Sequence, residues 1–309
     1  MRINKKGFEF SFAWLFAILV GAVILFLAIY AVTKIIDTGG EASSAKTGKE
    51  IGVLLNPLET GFESGKTTEL IMPVETIIYN ECNPNGNFGK QIVRISQKNF
   101  GKWSETNINV GFSNKYIFSK EDTEGKNFFI FSKPFEFPFK VSDLIYLTSS
   151  EDNYCFIDAP DEIKEEINES GQENLHTENC PEEGIKICFS SSEPECEIKV
   201  SYLQEHGSVE RQGEIVYFET DALMYGAIFS EPEIYECQIK RLMKRESELI
   251  NIYNEKEKIT AEQGCAPDVN ILALGSAINH VQNSEGLYSA YGTAQNTQRE
   301  NDMARCPLW

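Results

Sequence analysis

Histidine is scarce in this chain: His176, His206 and His280 are the only three among 309 residues. None has a second histidine at helical spacing or a cysteine placed for a zinc site, so each reads as a surface or packing residue. No two cysteines stand in C-x-x-C spacing, which argues against metal clamping and dithiol redox chemistry. No G-x-S-x-G elbow occurs, and Ser276 in Gly275-Ser276-Ala277 lacks that context. The nearest approach to a phosphate-binding loop is Gly61-Phe62-Glu63-Ser64-Gly65-Lys66-Thr67. It is one residue short between its glycines, with Thr60 where the first glycine belongs, and reads as a turn. No catalytic residue, cofactor or metal is therefore expected. Positive charge is also in the minority, with 28 Lys and Arg against 47 Asp and Glu. Residues 1–37 hold a balance of +2, so residues 38–309 carry −21. So acidic a surface repels phosphate backbones and excludes nucleic acid as a partner.

One stretch lacks charge altogether. Phe12 to Val32 is 21 residues without an ionisable side chain acidic or basic at neutral pH. As a helix it measures about 32 Å, close to the roughly 30 Å hydrocarbon core of a bilayer. Trp14 and Tyr30 lie near its ends, where amphipathic rings favour the interface. A cleaved secretory signal has a shorter apolar stretch and a small-x-small site close behind. Here the nearest such site, Ser43-Ser44-Ala45, lies well past the run, so a retained anchor in membrane lipid through residues 12–32 is expected. Arg2, Lys5 and Lys6 precede the run, whereas Lys34 is soon followed by Asp37 and Glu41. Positive flanks stay inside, so the expectation is a cytoplasmic amino terminus and an extracytoplasmic carboxy terminus. All eight cysteines (Cys82, Cys155, Cys180, Cys188, Cys196, Cys237, Cys265 and Cys306) follow the run, the pattern of exported disulfides. Cys265 and Cys306 flank the last helices and are the preferred pair; the remaining connectivity is open.

Lys5-Lys6-Gly7-Phe8-Glu9 followed by the apolar run resembles the class III signal of type IV prepilins. The resemblance covers about the first tenth of the chain. It implies cleavage between Gly7 and Phe8, withdrawal of the helix from the membrane and its packing into a filament with other pilus proteins. The pattern differs in one respect: the acid expected five positions after the cut falls at Phe12, and the only carboxylate near it is Glu9. More loosely, the whole chain is similar to uncharacterised single-span envelope proteins of archaea, a likeness that implies no activity.

Beyond the anchor the sequence reads as α+β: an N-terminal transmembrane helix, a β-rich, sandwich-like ectodomain and a helical C-terminal region. Gly39-Gly40 is expected to break the first helix, with a short second helix over 41–55 before Pro57. The divisions expected are 1–36 for leader and anchor, 37–68 for a stalk, 69–158 for the β-rich part, 159–229 for an acidic segment with further strands, and 230–309 for the helices. β-branched and aromatic runs mark strands at 70–79, 90–96, 107–112, 128–131 and 144–148, then 185–189, 197–203 and 214–218. The later strands either continue the first sheet or form a second one. Between them, 158–183 holds ten carboxylates against Lys164, a solvated face with a short helix at 161–170 and an Asn168-Glu169-Ser170 glycosylation sequon. Phe129, Phe131, Phe135, Phe137 and Phe139 fall two or four apart and read as core, or else as an aromatic docking edge bounded by Pro134 and Pro138.

Ser230-Glu231-Pro232-Glu233 has the form of a capping box opening a long helix that stops near Gly264. Tyr235, Ile239, Leu242, Leu249 and Tyr253 make its apolar stripe, and Glu246 interrupts it. Further helices are expected around Ile271–Val281 and over 286–303. The reading overall is an envelope protein with a non-enzymatic structural, adhesion or assembly role. A pilin-like filament subunit is the alternative, and an exported enzyme of unknown type the third.

Overall fold

The computed structural model describes residues 12–54, 67–99, 101–103, 109–189 and 196–309. Helix α1 runs from Phe12 to Leu54, 43 residues without interruption. Gly39-Gly40 does not end it. Glycine weakens a helix by about 1 kcal/mol yet keeps its N–H, so the hydrogen-bond ladder continues through the pair. The 23 residues Phe12–Lys34 are long and apolar enough to cross a membrane, and none of that stretch is buried against the rest of the chain.

The first sheet comprises β1 (Thr67–Asn83), β2 (Lys90–Asn99), β3 (Lys102–Trp103), β4 (Val110–Phe112), β5 (Ile117–Phe118), β6 (Asp122–Glu136) and β7 (Lys140–Ser149). Its order is β3-β2-β1-β6-β7-β5, with β4 also on β2. The pairings are antiparallel except β5 with β7. Pairing of β1 with β6 shifts register between Ile71 and Thr76. Pro73 lies inside that interval and has no N–H to give the ladder. The far end of α1 runs beside β2 and β4.

The second sheet settles the position of the later strands. It is a separate six-stranded sheet of β8 (Tyr154–Ile157), β9 (Leu175–His176), β10 (Ile185–Cys188), β11 (Ile198–Leu203), β12 (His206–Arg211) and β13 (Glu214–Phe218), in the order β13-β12-β11-β10-β8-β9. Helix α2 (Asp161–Ser170) connects β8 to β9 and buries Ile163 and Ile167, four apart on one face. The turn from β11 to β12 holds Gln204 and Glu205 at φ 50° and 67°, the left-handed pair that a two-residue hairpin demands.

Between the sheets lies α3 (Asp221–Phe229), touching β6 and β7 on one side and β12 and β13 on the other. The strand pattern suggests two sheets face to face; a helical layer occupies that space at α3. Every residue from Ala222 to Phe229 is buried. Gly226 is needed there, since a Cβ would stand 2.8 Å from the Phe118 ring. Phe229 meets the rings of Phe131 (5.7 Å), Tyr154 (5.1 Å) and Tyr225 (6.2 Å). The five phenylalanines of the 129–139 stretch are all buried, so they are core rather than a docking edge.

Three helices close the fold: α4 (Pro232–Glu262), α5 (Ile271–Asn279) and α6 (Leu287–Met303). The expected capping box does not form. Ser230 ends α3, its hydroxyl donating 2.6 Å to the Gly226 carbonyl, and the α4 N-cap is Glu231 without a side-chain bond. One main core runs from Tyr116 to Ala294, through both sheets and all the helices after α1. The cysteines stand in four pairs: Cys82–Cys237, Cys155–Cys180, Cys188–Cys196 and Cys265–Cys306, with Cα separations of 5.6–6.2 Å. No free thiol is left among the described residues.

Candidate functional site

An open groove of about 970 Å³ lies beside the β6–β7 hairpin. Three elements build its walls. The hairpin contributes Lys133 and Phe139, the start of α3 contributes Asp221, and α6 contributes Tyr291, Gln295 and Arg299. Tyr253 of α4 and Trp309 complete it.

Trp309 is held by the segment that follows α6. Cys306 is tied to Cys265 beyond α4. Asn301 then clasps the turn back: its amide oxygen accepts from Leu308 N at 2.6 Å, and its amide nitrogen donates to Trp309 O at 3.2 Å. Lys256 Nζ donates 2.5 Å to Leu308 O. The indole N–H donates to Gln298 Oε1 at 2.9 Å, and the ring lies 5.3 Å from both Phe139 and Tyr253. A large ring is thus fixed in place with one side partly open.

The polar end of the groove is a linked set. Lys133 Nζ lies 2.7 Å from Glu166 and 5.0 Å from the Tyr225 ring centroid, while Tyr225 Oη donates to Glu166 Oε2 at 2.9 Å. Tyr202 Oη donates to Asp221 Oδ1 at 2.9 Å. Burial raises the Asp221 carboxyl above the usual range, opposed by the Tyr202 hydrogen bond and by Lys133. Burial and the neighbouring Asp221 raise the Tyr202 phenol.

A second hollow of about 570 Å³ shares Tyr291 and Gln295 with the groove. It contains His206 and Glu219. Gly207 pairs with Phe218, so the register brings the next two residues outward, His206 and Glu219, opposite each other. Glu219 is only 4% exposed, and its Oε2 has no hydrogen-bond partner. Burial raises its carboxyl, and His206 works against that rise.

Other sequence-derived candidates lie elsewhere. Gly7, Phe8 and residues 61–66 fall outside the described residues. Asn168 is exposed on α2, its amide oxygen accepting from Thr177 Oγ1 at 2.9 Å. His176 is half-buried with Nε2 3.0 Å from Asn153 Oδ1, and His280 is exposed. Among the described residues no cluster of three or more His, Cys, Asp or Glu could hold a metal. The groove itself was not legible beforehand. Its only local signals are the acidic Glu219-Thr220-Asp221 between two apolar runs and a tryptophan beyond the last helix. No family model, curated protein or solved structure matches the chain.

Proposed function

We propose that the chain is a membrane-anchored extracytoplasmic envelope protein with a structural, adhesion or assembly role and no enzymatic activity. The observation that carries this reading is the apolar stretch Phe12–Lys34, wholly unburied ahead of a domain tied by four cysteine pairs. Leaving one large apolar side chain in water instead of burying it forfeits about 1.5–3 kcal/mol. A row of them demands lipid or protein around it. Disulfides persist in oxidising compartments, which supports export of everything after the helix. The positive flank at Arg2, Lys5 and Lys6 supports an amino terminus that stays inside. Protease added to intact cells is expected to digest the chain beyond residue 38 and leave a short protected fragment. Full protection of the carboxy-terminal end would overturn this topology.

A pilin-like filament subunit is the second reading. It is favoured by the continuity of α1, whose unburied apolar part extends without a break into the part beside β2 and β4. Against it stands the −21 charge of residues 38–309, which repels between stacked copies. The mass of the mature amino terminus from native membranes separates the two. A chain that keeps Met1 or Arg2 ends the filament reading, whereas a start at Phe8 promotes it.

A further inference from the structure

We infer that the groove between the β6–β7 hairpin, α3 and α6, together with its side hollow, is a saccharide-binding site. A sugar ring presents an apolar C–H face and a rim of hydroxyls, each both donor and acceptor. Its site must therefore combine aromatic faces with polar groups of both kinds. Tyr253, Tyr291 and Trp309 are half-exposed around the groove. Gln295 and Arg299, four apart, project from one face of α6. Both are exposed, and neither makes a hydrogen bond or ion pair among the described residues. Across from them lie the carboxyls of Asp221 and Glu219.

The independent observation is Glu219. A buried oxygen without a partner is unfavourable unless something supplies the missing donor. Glu219 lines the hollow that continues the groove, with this oxygen enclosed at its wall, and a turn of the carboxyl would bring it to a ligand hydroxyl that supplies the donor. The remaining lining disfavours three other ligand classes. An anionic phosphate ester meets Glu136, Glu205, Asp221 and Glu219 in an acidic domain, and a cation meets Lys133, Lys140 and Arg299. A wholly apolar ligand leaves the carboxyls dry and unpaired. A neutral polyhydroxyl compound satisfies both signs of charge without adding its own. The volume of about 970 Å³, continuous with a further hollow, holds more than one ring. The exported reading matters here only for where the ligand is met. Binding to the chain in detergent does not depend on export, so either proposal can fail alone.

The full-length chain in detergent is titrated with cellotriose, maltotriose and chitotriose, and is also passed over an immobilised panel of neutral and N-acetylated oligosaccharides. Binding is read by calorimetry and by tryptophan emission, to which Trp14, Trp103 and Trp309 contribute. At least one neutral saccharide is expected to bind at millimolar concentration or below. Glu219→Gln and Tyr291→Ala should each weaken it about tenfold, the equivalent of one good hydrogen bond or ring contact. Trp309→Phe should abolish the emission change. The double variant Gln295→Ala/Arg299→Ala alters only exposed side chains, so it weakens binding without lowering the melting temperature. Leu272→Ala, exposed on α5 away from the groove, should bind as the parent does. Silence across trisaccharides and panel, or binding that survives every groove substitution, overturns the inference.

Discussion

Helix α4 buries two charged residues five positions apart, and the two are treated in opposite ways. Arg241 and Glu246 both have no solvent exposure. Arg241 uses all five of its N–H groups. Nε donates to Phe88 O at 3.2 Å, and Nη1 to Lys115 O and Gln238 Oε1 at 2.8 and 2.7 Å. Nη2 reaches Ser113 O and Phe112 O at 3.2 and 3.4 Å. The guanidinium also stands 4.6 Å from the centroid of the Tyr116 ring. Burial lowers its pKa to about 10, so it remains charged at neutral pH. Glu246 has no partner on either oxygen, and burial raises its carboxyl well above the ordinary range.

The difference shows what makes an internal charge tolerable. A planar fork with five donors can gather carbonyls that a loop cannot satisfy by itself. Four of the five acceptors are backbone oxygens, two of them in the connection between β4 and β5 and a third on Phe112 at the end of β4. Gln238 extends the seam, donating to Gln91 Oε1 at 2.6 Å and to Ile117 O at 3.0 Å, and Gln91 in turn donates to Asn80. Arg241 is therefore the clasp between α4 and the first sheet, reinforced by Cys82–Cys237 alongside. Glu246 clasps nothing.

Removing the clasp should have the largest effect. Arg241→Met keeps volume but strands the carbonyls, and a loss of about 3–5 kcal/mol is expected, as for one partner taken from a buried charged network. Chemical denaturation with the disulfides intact measures it. A loss under about 1 kcal/mol would mean the carbonyls find water instead, and the contrast with Glu246 would collapse.

Gly89→Ala should come next. Its φ is +60°, and a Cβ would fall 2.5 Å from Asn83 O and 2.8 Å from Arg241 Cγ. Backbone strain of this kind costs about 1–3 kcal/mol. Part of the clash is with Arg241 Cγ and Cδ, so a double variant with Arg241→Ala, which has neither atom, should be less unstable than its two single losses added. Strict additivity would show that Gly89 answers only to the backbone.

How far this was readable in advance differs along the molecule. The span of α2, the extent of α4 to about Gly264 and eight of the strands follow from period and turn residues, which are local; β3, β5, β8, β9 and β12 were not expected. Glu246 was visible as a break in the stripe of Tyr235, Ile239, Leu242, Leu249 and Tyr253. Arg241 was invisible: it sits among Lys240, Lys244 and Arg245, and its acceptors lie 126–153 residues earlier, in backbone that no side-chain pattern announces. Helix α3 was missed for another reason. Ala222 to Phe229 is buried on every side, so it has no polar face and no period to read. With α3 unseen, Ser230 looked like the start of a helix rather than the end of one. The groove joins the β6–β7 hairpin, the start of α3, α6 and Trp309, and no local pattern reports such a meeting.

The smallest expected effect is also the one that separates the two residues by sign. Glu246 has a folded-state pKa above its unfolded value, so between those values the native chain holds the extra proton. Stability must then fall as pH rises, from about pH 4.5, where the unfolded carboxyl titrates, up to the folded pKa. The slope from this single group is at most about 1.4 kcal/mol per pH unit. Glu219, Asp221 and Glu231 are raised too and act in the same direction, so the parent curve declines for several reasons at once. Glu246→Leu isolates one of them. The variant completes the apolar stripe and should match or exceed the parent near pH 5, by no more than about 1 kcal/mol, because the parent carboxyl is then neutral. Its advantage should widen toward pH 8, because the variant keeps the decline due to Glu219, Asp221 and Glu231 but loses the part due to Glu246. Glu246→Gln, which keeps the polar atoms but cannot ionise, should reproduce the flatter curve without the gain at pH 5. Paired melts of the three proteins across pH 5–8 decide the matter. A Glu246→Leu curve parallel to the parent's would mean that the carboxylate finds solvation in solution, and that Glu246 is no less accommodated than Arg241.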